Sequence, residues 1–161
     1  MKCEAPVVDN ITELLNRILA FTRKRHCLLI QNLENMGTPG FVPHDLPVIR
    51  FSKAIEEALT EHVLHQRLIW RDSEALHIND SGDLHISAVR DEKAFLLKQS
   101  NRHAYQEHLS QKLVENELNR RVTLELLNQN LPSVPSPTAS TCTSVDLRLS
   151  EKSTDGNTID F

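Results

Sequence analysis

Aromatic side chains make up only 4% of the 161 residues. Aromatics usually supply the bulk of a compact core or a binding pocket, so leucine and isoleucine on helices are expected to fill that role. Cysteine is scarce as well. Cys3, Cys27 and Cys142 are too scattered for a zinc ribbon or a CxxC redox site, and an odd number argues against a disulfide framework. No long basic patch exists. The formal net charge is -4 with acids and bases intermixed, which argues against nucleic acid as a partner. No apolar run is long enough to span a bilayer, so membrane insertion is not expected. The opening MKCEAPVVDN has no apolar h-region, and any export is expected to proceed without a cleaved signal peptide.

Signatures of catalysis are missing too. There is no Gly-rich phosphate loop, no GxSxG and no HExxH. His26 adjoins Cys27, but neighbouring helix positions point in different directions, so the two do not form a nucleophile pair. His62 and His65, and His103 and His108, lack the converging ligands a zinc site requires and read as solvated surface histidines. No enzyme activity, metal or cofactor is expected.

What the chain does have is helical periodicity. Leu15, Leu19, Thr22, His26, Leu29, Leu33 and Met36 recur at spacings of three and four, with Ile11, Leu14 and Ile18 widening the stripe. They predict a helix over about 11–36, capped by Asp9 or Asn10 and roughly 39 Å long. Arg17, Arg23, Lys24 and Arg25 are assigned to its opposite, polar face. Such a helix requires a partner along much of its length. Thr38-Pro39-Gly40 stops it: Pro39 disfavours helical geometry at Thr38, and either Gly37 or Gly40 can take positive φ.

A second helix is expected over about 53–69, capped by Ser52, with Ile55, Leu59, Val63 and either Gln66 or Arg67 on one face. Leu76–Ile78 and Leu84–Ile86 alternate about a five-residue loop and predict a small hairpin in which His77 faces His85. A further helix starts between Asp91 and Ala104 and reaches about Asn130. Leu109, Leu113, Asn116, Leu124 and Leu127 lie near one face, with Leu118, Val122 and Leu126 beside it. From Pro132 a Pro/Ser/Thr-rich tail is expected to be disordered. The resulting picture is a mainly α fold: a leader over 1–10, a helical domain over 11–131 with a short irregular middle at about 41–100 and a C-terminal helix at about 104–130, and a tail over 132–161.

Asn32-x-x-Asn35-x-x-Thr38-Pro39-Gly40-Phe41 resembles the N-terminal signature of the bacterial flagellar basal-body rod and hook proteins. There a helix ends in paired asparagines, followed by TPG and an aromatic. Asp45-Leu46 and Phe51 look most like the family's proximal-rod branch. Leu113-x-x-Asn116 and Leu126-Leu127 are similar to the family's C-terminal helix. The chain departs from the pattern at Glu34, where the family prefers a small residue, and at Arg120, where an aromatic is common. The Asn-x-Val-Asp-Leu lead-in to the last helix is missing.

The resemblance implies a structural subunit. Its terminal helices would pair as a coiled-coil-like bundle and stack, with copies of itself and other rod subunits, into the tube that transmits motor torque. It also implies export by the flagellar type III apparatus. Leu15, Leu19, Leu29, Leu33, Leu109, Leu113, Asn116, Leu124 and Leu127 would then be assembly positions. Asn32 and Asn35 are expected to fix helix register between subunits, so that leucine at both would alter assembly without unfolding the chain. The other reading is a small helical adaptor or chaperone that binds a partner through its amphipathic helices. It differs in forming a closed complex of fixed size.

Overall fold

Helix α1 occupies Asn10–Glu34, an uninterrupted stretch without glycine or proline. This computed structural model describes residues 9–79 and 84–130. Most of the expected leader and the expected tail therefore lie outside the described residues. Asp9 takes the N-cap position with its carbonyl, which accepts from the Glu13 N–H at 3.0 Å, but its side chain makes no cap bond. A 3-10 turn, Asn35–Gly37, closes the helix. The expected span of 11–36 is met.

α1 buries two faces, not one. Leu15, Leu19, Thr22, Leu29 and Asn32 line the first, and Leu14, Phe21 and Arg25 extend burial onto the second. Two expectations change here. His26 is exposed, and Arg25 is buried, not on the polar face with Arg23 and Lys24. Neighbours on two sides widen the buried arc toward Phe21 and Arg25, and leave His26 and Cys27 in solvent.

The first face is covered by α4, Arg102–Asn130. The two helices run antiparallel: Leu127 packs with Leu15 and Leu19, the Asn116 amide donates to the Thr22 carbonyl at 2.8 Å, and Leu109 and Tyr105 pack with Leu29. Against the second face lie α2 (Val48–His65) and the hairpin of β2 (Leu76–Ile78) and β3 (Leu84–Ile86). Here the scarce aromatics are concentrated. Phe21 and Phe51 stack at 3.9 Å between centroids, and Trp70 meets Phe51 at 5.8 Å, with Leu46, Leu76 and Ile86 around them.

The hairpin has the expected register, with His77 directly opposite His85. α2 begins at Val48 instead of 53, because Pro47, with its fixed φ, occupies the N-cap position and places Ser52 inside the helix. It ends at Gln66, which adopts φ 56°. The buried side of α2 is Phe51 and Ala58, while Leu59 and Val63 face solvent. The expected C-terminal helix is met by α4, which begins at Arg102, and an additional helix precedes it in the stretch expected to be irregular. α3 spans Glu92–Ser100, and the extended backbone of Asn101 (φ -152°) breaks the path before α4. The Asn101 side chain then caps α4 by accepting from the Ala104 N–H at 3.0 Å. A two-residue antiparallel pairing of β1 (His44–Asp45) with β4 (Val89–Arg90) ties the loop after α1 to the segment before α3.

Leu29 is fully buried at the meeting of α1, α3 and α4. Leu29→Ala is expected to cost about 2–5 kcal/mol of unfolding free energy. Val114→Ala, on the outer side of α4, should fall within about 0.5 kcal/mol of the parent. Urea denaturation followed by circular dichroism measures both.

Candidate functional site

The segment Asn32–Phe41 folds back on its own chain. Asn32 is completely buried. Its amide donates to the His44 carbonyl at 2.6 Å and its side-chain oxygen accepts from the His44 N–H at 3.2 Å. The side chain thus pairs with β1 as a neighbouring strand would. The Asn32 carbonyl accepts from the Tyr105 hydroxyl at 3.0 Å. Burial, with a smaller push from Asp91, raises the Tyr105 pKa to about 12 and keeps that donor protonated. The expected role of Asn32 is corrected accordingly: both ends of its amide are engaged inside the chain, so the register it holds is that of β1 on α1. Leucine there leaves two His44 backbone groups without partners, at about 1–3 kcal/mol each.

Asn35 acts as a cap. Its amide donates to the Gln31 carbonyl at 2.9 Å, and its side-chain oxygen accepts from the Thr38 hydroxyl at 3.1 Å. Thr38-Pro39-Gly40-Phe41 forms a turn in which the Phe41 N–H meets the Thr38 carbonyl at 3.4 Å and Gly40 adopts φ 73°. Proline second and glycine third suit a type II turn. Gly37 keeps an ordinary φ, so the choice between the two glycines falls on Gly40. Lys98 of α3 clasps this turn, donating to the carbonyls of Thr38 at 2.7 Å and Phe41 at 3.0 Å, with its ammonium 5.5 Å from the Phe41 ring centre. Glu34, the residue out of keeping with the rod-protein pattern, points to solvent and meets no close packing.

Of the assembly positions, Leu15, Leu19, Leu29, Leu109, Asn116 and Leu127 are buried between α1 and α4, and Leu33, Leu113 and Leu124 are half-buried at its margins. All nine serve the intrachain seam. Asn116 is its central polar contact, joined by the buried Thr22 and Thr123.

Beneath β1 lies a network that the periodicity did not reveal. Arg25 grips Asp45 with two bonds, Nε to Oδ1 at 2.9 Å and Nη2 to Oδ2 at 3.0 Å. Lys112 of α4 donates to Asp45 Oδ2 at 2.8 Å and to Asp91 Oδ2. Asp91 also caps α3, accepting from the Ala94 N–H at 3.0 Å. Two cations thus meet two carboxylates drawn from α1, β1, the start of α3, and α4. Burial pushes the Asp45 carboxyl upward, but the bonds from Arg25 and Lys112 outweigh it and hold its pKa below 3.8. His108 stands beside this group with its Nε2 buried and 3.8 Å from Asp91 Oδ2, beyond hydrogen-bond range. Burial first, and then the Lys112 charge, lower its pKa. Arg25 was detectable in the sequence: it stands three residues after Thr22 and four before Leu29, within the stripe. Lys112, three residues after Leu109 and four before Asn116, and Tyr105, four before Leu109, stand in the same way on the α4 stripe.

No group of three or more histidine, cysteine or acidic side chains placed to hold a metal occurs among the described residues. No described helix is long and apolar enough to cross a membrane. Comparisons with family models, characterised proteins and solved structures return no match.

Two tests follow from this geometry. A Cβ at Gly40 would meet open space, so only the backbone penalty remains; Gly40→Ala should cost about 1–2 kcal/mol in denaturation, and Gly37→Ala far less. His108 has a folded pKa below its ordinary 6.5, so the unfolded chain binds more protons as pH falls through that value. Its contribution to stability is present above 6.5 and is lost as pH drops toward the folded value. The Asp45 contribution has the same sign in a lower window, being lost as pH falls from 3.8 toward its lowered folded value. The urea midpoint should therefore decline from about pH 7.5 to about pH 5.5, and His108→Gln should flatten that decline.

Proposed function

We propose that this chain is a structural subunit of a bacterial flagellar rod, of the proximal-rod type, that assembles with copies of itself and with other rod subunits. The observation that carries the reading is the coincidence of motif and fold. The Asn32–Phe41 signature sits where α1 ends, and the helix nearest the C-terminal side of the described chain, α4, pairs with α1 along its length. The pairing resembles an antiparallel coiled coil. Buried positions on α4 fall at Tyr105, Leu109, Asn116, Thr123 and Leu127, apolar at the ends and polar in the middle. Polar residues in such a seam favour one register over its neighbours.

A subunit of this kind must carry load without the two helices sliding. Here sliding is opposed by the Asn116–Thr22 bond and by Lys112, which cannot leave Asp45 and Asp91 without exposing buried charge. The turn at Thr38–Phe41, clasped by Lys98, directs the chain out of the helix pair and into the β1 region. Export through the flagellar type III apparatus, and residence in the basal body, belong to the same proposal.

Deletion of the gene in the organism that encodes it, with motility scored and basal bodies imaged, tests the reading. The expected result is non-motile cells without rods, restored by the wild-type gene. Motile cells with intact rods would overturn it and favour an adaptor.

A further inference from the structure

Two cationic side chains on one face of α4 stand within reach of Asp91 Oδ2. Lys112 holds that oxygen and bridges it to Asp45 Oδ2. His108 lies one turn earlier on the same helix face, with its Nε2 3.8 Å from Asp91 Oδ2. That nitrogen is buried and makes no hydrogen bond. A buried polar atom without a partner is costly, and here an acceptor lies about 1 Å beyond the length of a charge-assisted bond. The charges that face the His108 ring are Lys112 on α4, Asp91 and Lys93 at the start of α3, and Asp45 on β1. Behind them Arg25 of α1 pairs with Asp45, and Tyr105 of α4 feels the Asp91 charge.

While His108 is neutral, Arg25 and Lys112 offset Asp45 and Asp91. Protonation adds a third cation to this buried group, and one of the three has to give way. Arg25 is fixed by its two bonds to Asp45. Lys112 has more freedom: its side chain is 19% exposed against 4% for Arg25, and its flexible stem carries the ammonium toward water. We propose that His108 and Lys112 are alternative partners of Asp91, and that proton uptake by His108 exchanges them. Neutral His108 leaves Asp91 to Lys112, whose one ammonium ties β1 to the start of α3. Protonated His108 closes on Asp91 Oδ2, and Lys112 withdraws to Asp45 alone. Both carboxylates stay paired in both states. Burial first, and then the Lys112 charge, hold the His108 pKa below 6.5, so the exchange falls on the acid side of that value. Acid thus cuts the ammonium link between β1 and α3 without opening the α1–α4 seam. β1 and α3 then remain joined by the β1–β4 pairing, by the Asp91 N–H on the Pro43 carbonyl at 3.0 Å and by Lys98 on the turn before β1. The switch stands whether or not the chain assembles into rods.

Removing Lys112 from the full chain tests the exchange. The His108 ring, followed by NMR, should titrate below 6.5 in the wild type and above 6.5 in Lys112→Met, where Asp91 has no other cation. The pH dependence of stability should change sign with it. A folded pKa above the unfolded one adds stability as pH falls, so the urea midpoint of Lys112→Met should rise from about pH 7.5 to about pH 5.5, where that of the wild type declines. His108→Gln added to Lys112→Met should abolish the rise. A rise that persists in the double variant overturns the exchange, because Asp91 then takes up the proton itself. A Lys112→Met midpoint that declines as in the wild type overturns it too. If circular dichroism shows Lys112→Met unfolded, Lys112→Gln keeps a polar group there and the same outcomes apply. The wild type supplies a readout that needs no variant. Native-state hydrogen exchange at about pH 5.5 should show a loss of protection at the Asp91 N–H, relative to about pH 7.5, with protection in the middle of α1 retained. Unchanged protection at Asp91, or an equal loss along α1, would mean that acid acts on the whole fold and that no exchange occurs.

Discussion

Asp45 is the point on which the rest of the fold depends. Its carboxylate is buried, and a buried charge persists only when it is paired and hydrogen-bonded. Here the partners come from far apart in the chain: Arg25 from α1 and Lys112 from α4, the latter shared with Asp91 at the start of α3. No two of these elements satisfy the group by themselves. Removing one partner from a buried pair costs about 3–5 kcal/mol, because the other charge is left behind. The network thus makes the positions of α1, β1, α3 and α4 conditional on one another. His108, half-buried beside it with a buried Nε2 that has no hydrogen bond, adds a pH dependence to this arrangement.

The hydrophobic contribution is divided among three small clusters: Leu15, Leu19 and Leu127 at one end, Leu29, Tyr105 and Leu109 at the other, and the Phe21–Phe51 group on the far face of α1. Between the two seam clusters the α1–α4 contact is polar, through Thr22, Asn116 and Thr123. Apolar packing tolerates sliding between neighbouring registers better than directional bonds do, so the polar middle sets the alignment and the apolar ends supply the adhesion. The same division explains α4. Its inner face against α1 is partly polar, while Val114, Leu118 and Val122 stand exposed on its outer face.

Much of the element pattern was legible from local rules. Three- and four-residue spacing placed α1, period-two alternation placed the hairpin and its His77–His85 register, and Thr38-Pro39-Gly40 placed the end of α1. The boundaries that were not legible had nonlocal or subtle causes. α2 starts at Val48, with Pro47 and not Ser52 at its N-cap, and α3 lies in a stretch expected to be irregular.

The site divides along the same line. By itself the sequence determined the two long helices, where the first one stops and which amide motif ends it, since propensity, φ restriction and periodicity act over a few neighbouring residues. Only the tertiary structure decided what the amides do. Asn32 turns inward to hold His44, Asn35 caps, and Asn116 crosses to Thr22, because the partner of a buried polar group is set by whichever backbone the fold brings within 3 Å or so. Arg25 and Lys112 follow the same rule: a charged side chain reads as a surface residue until a carboxylate on another element meets it in the interior.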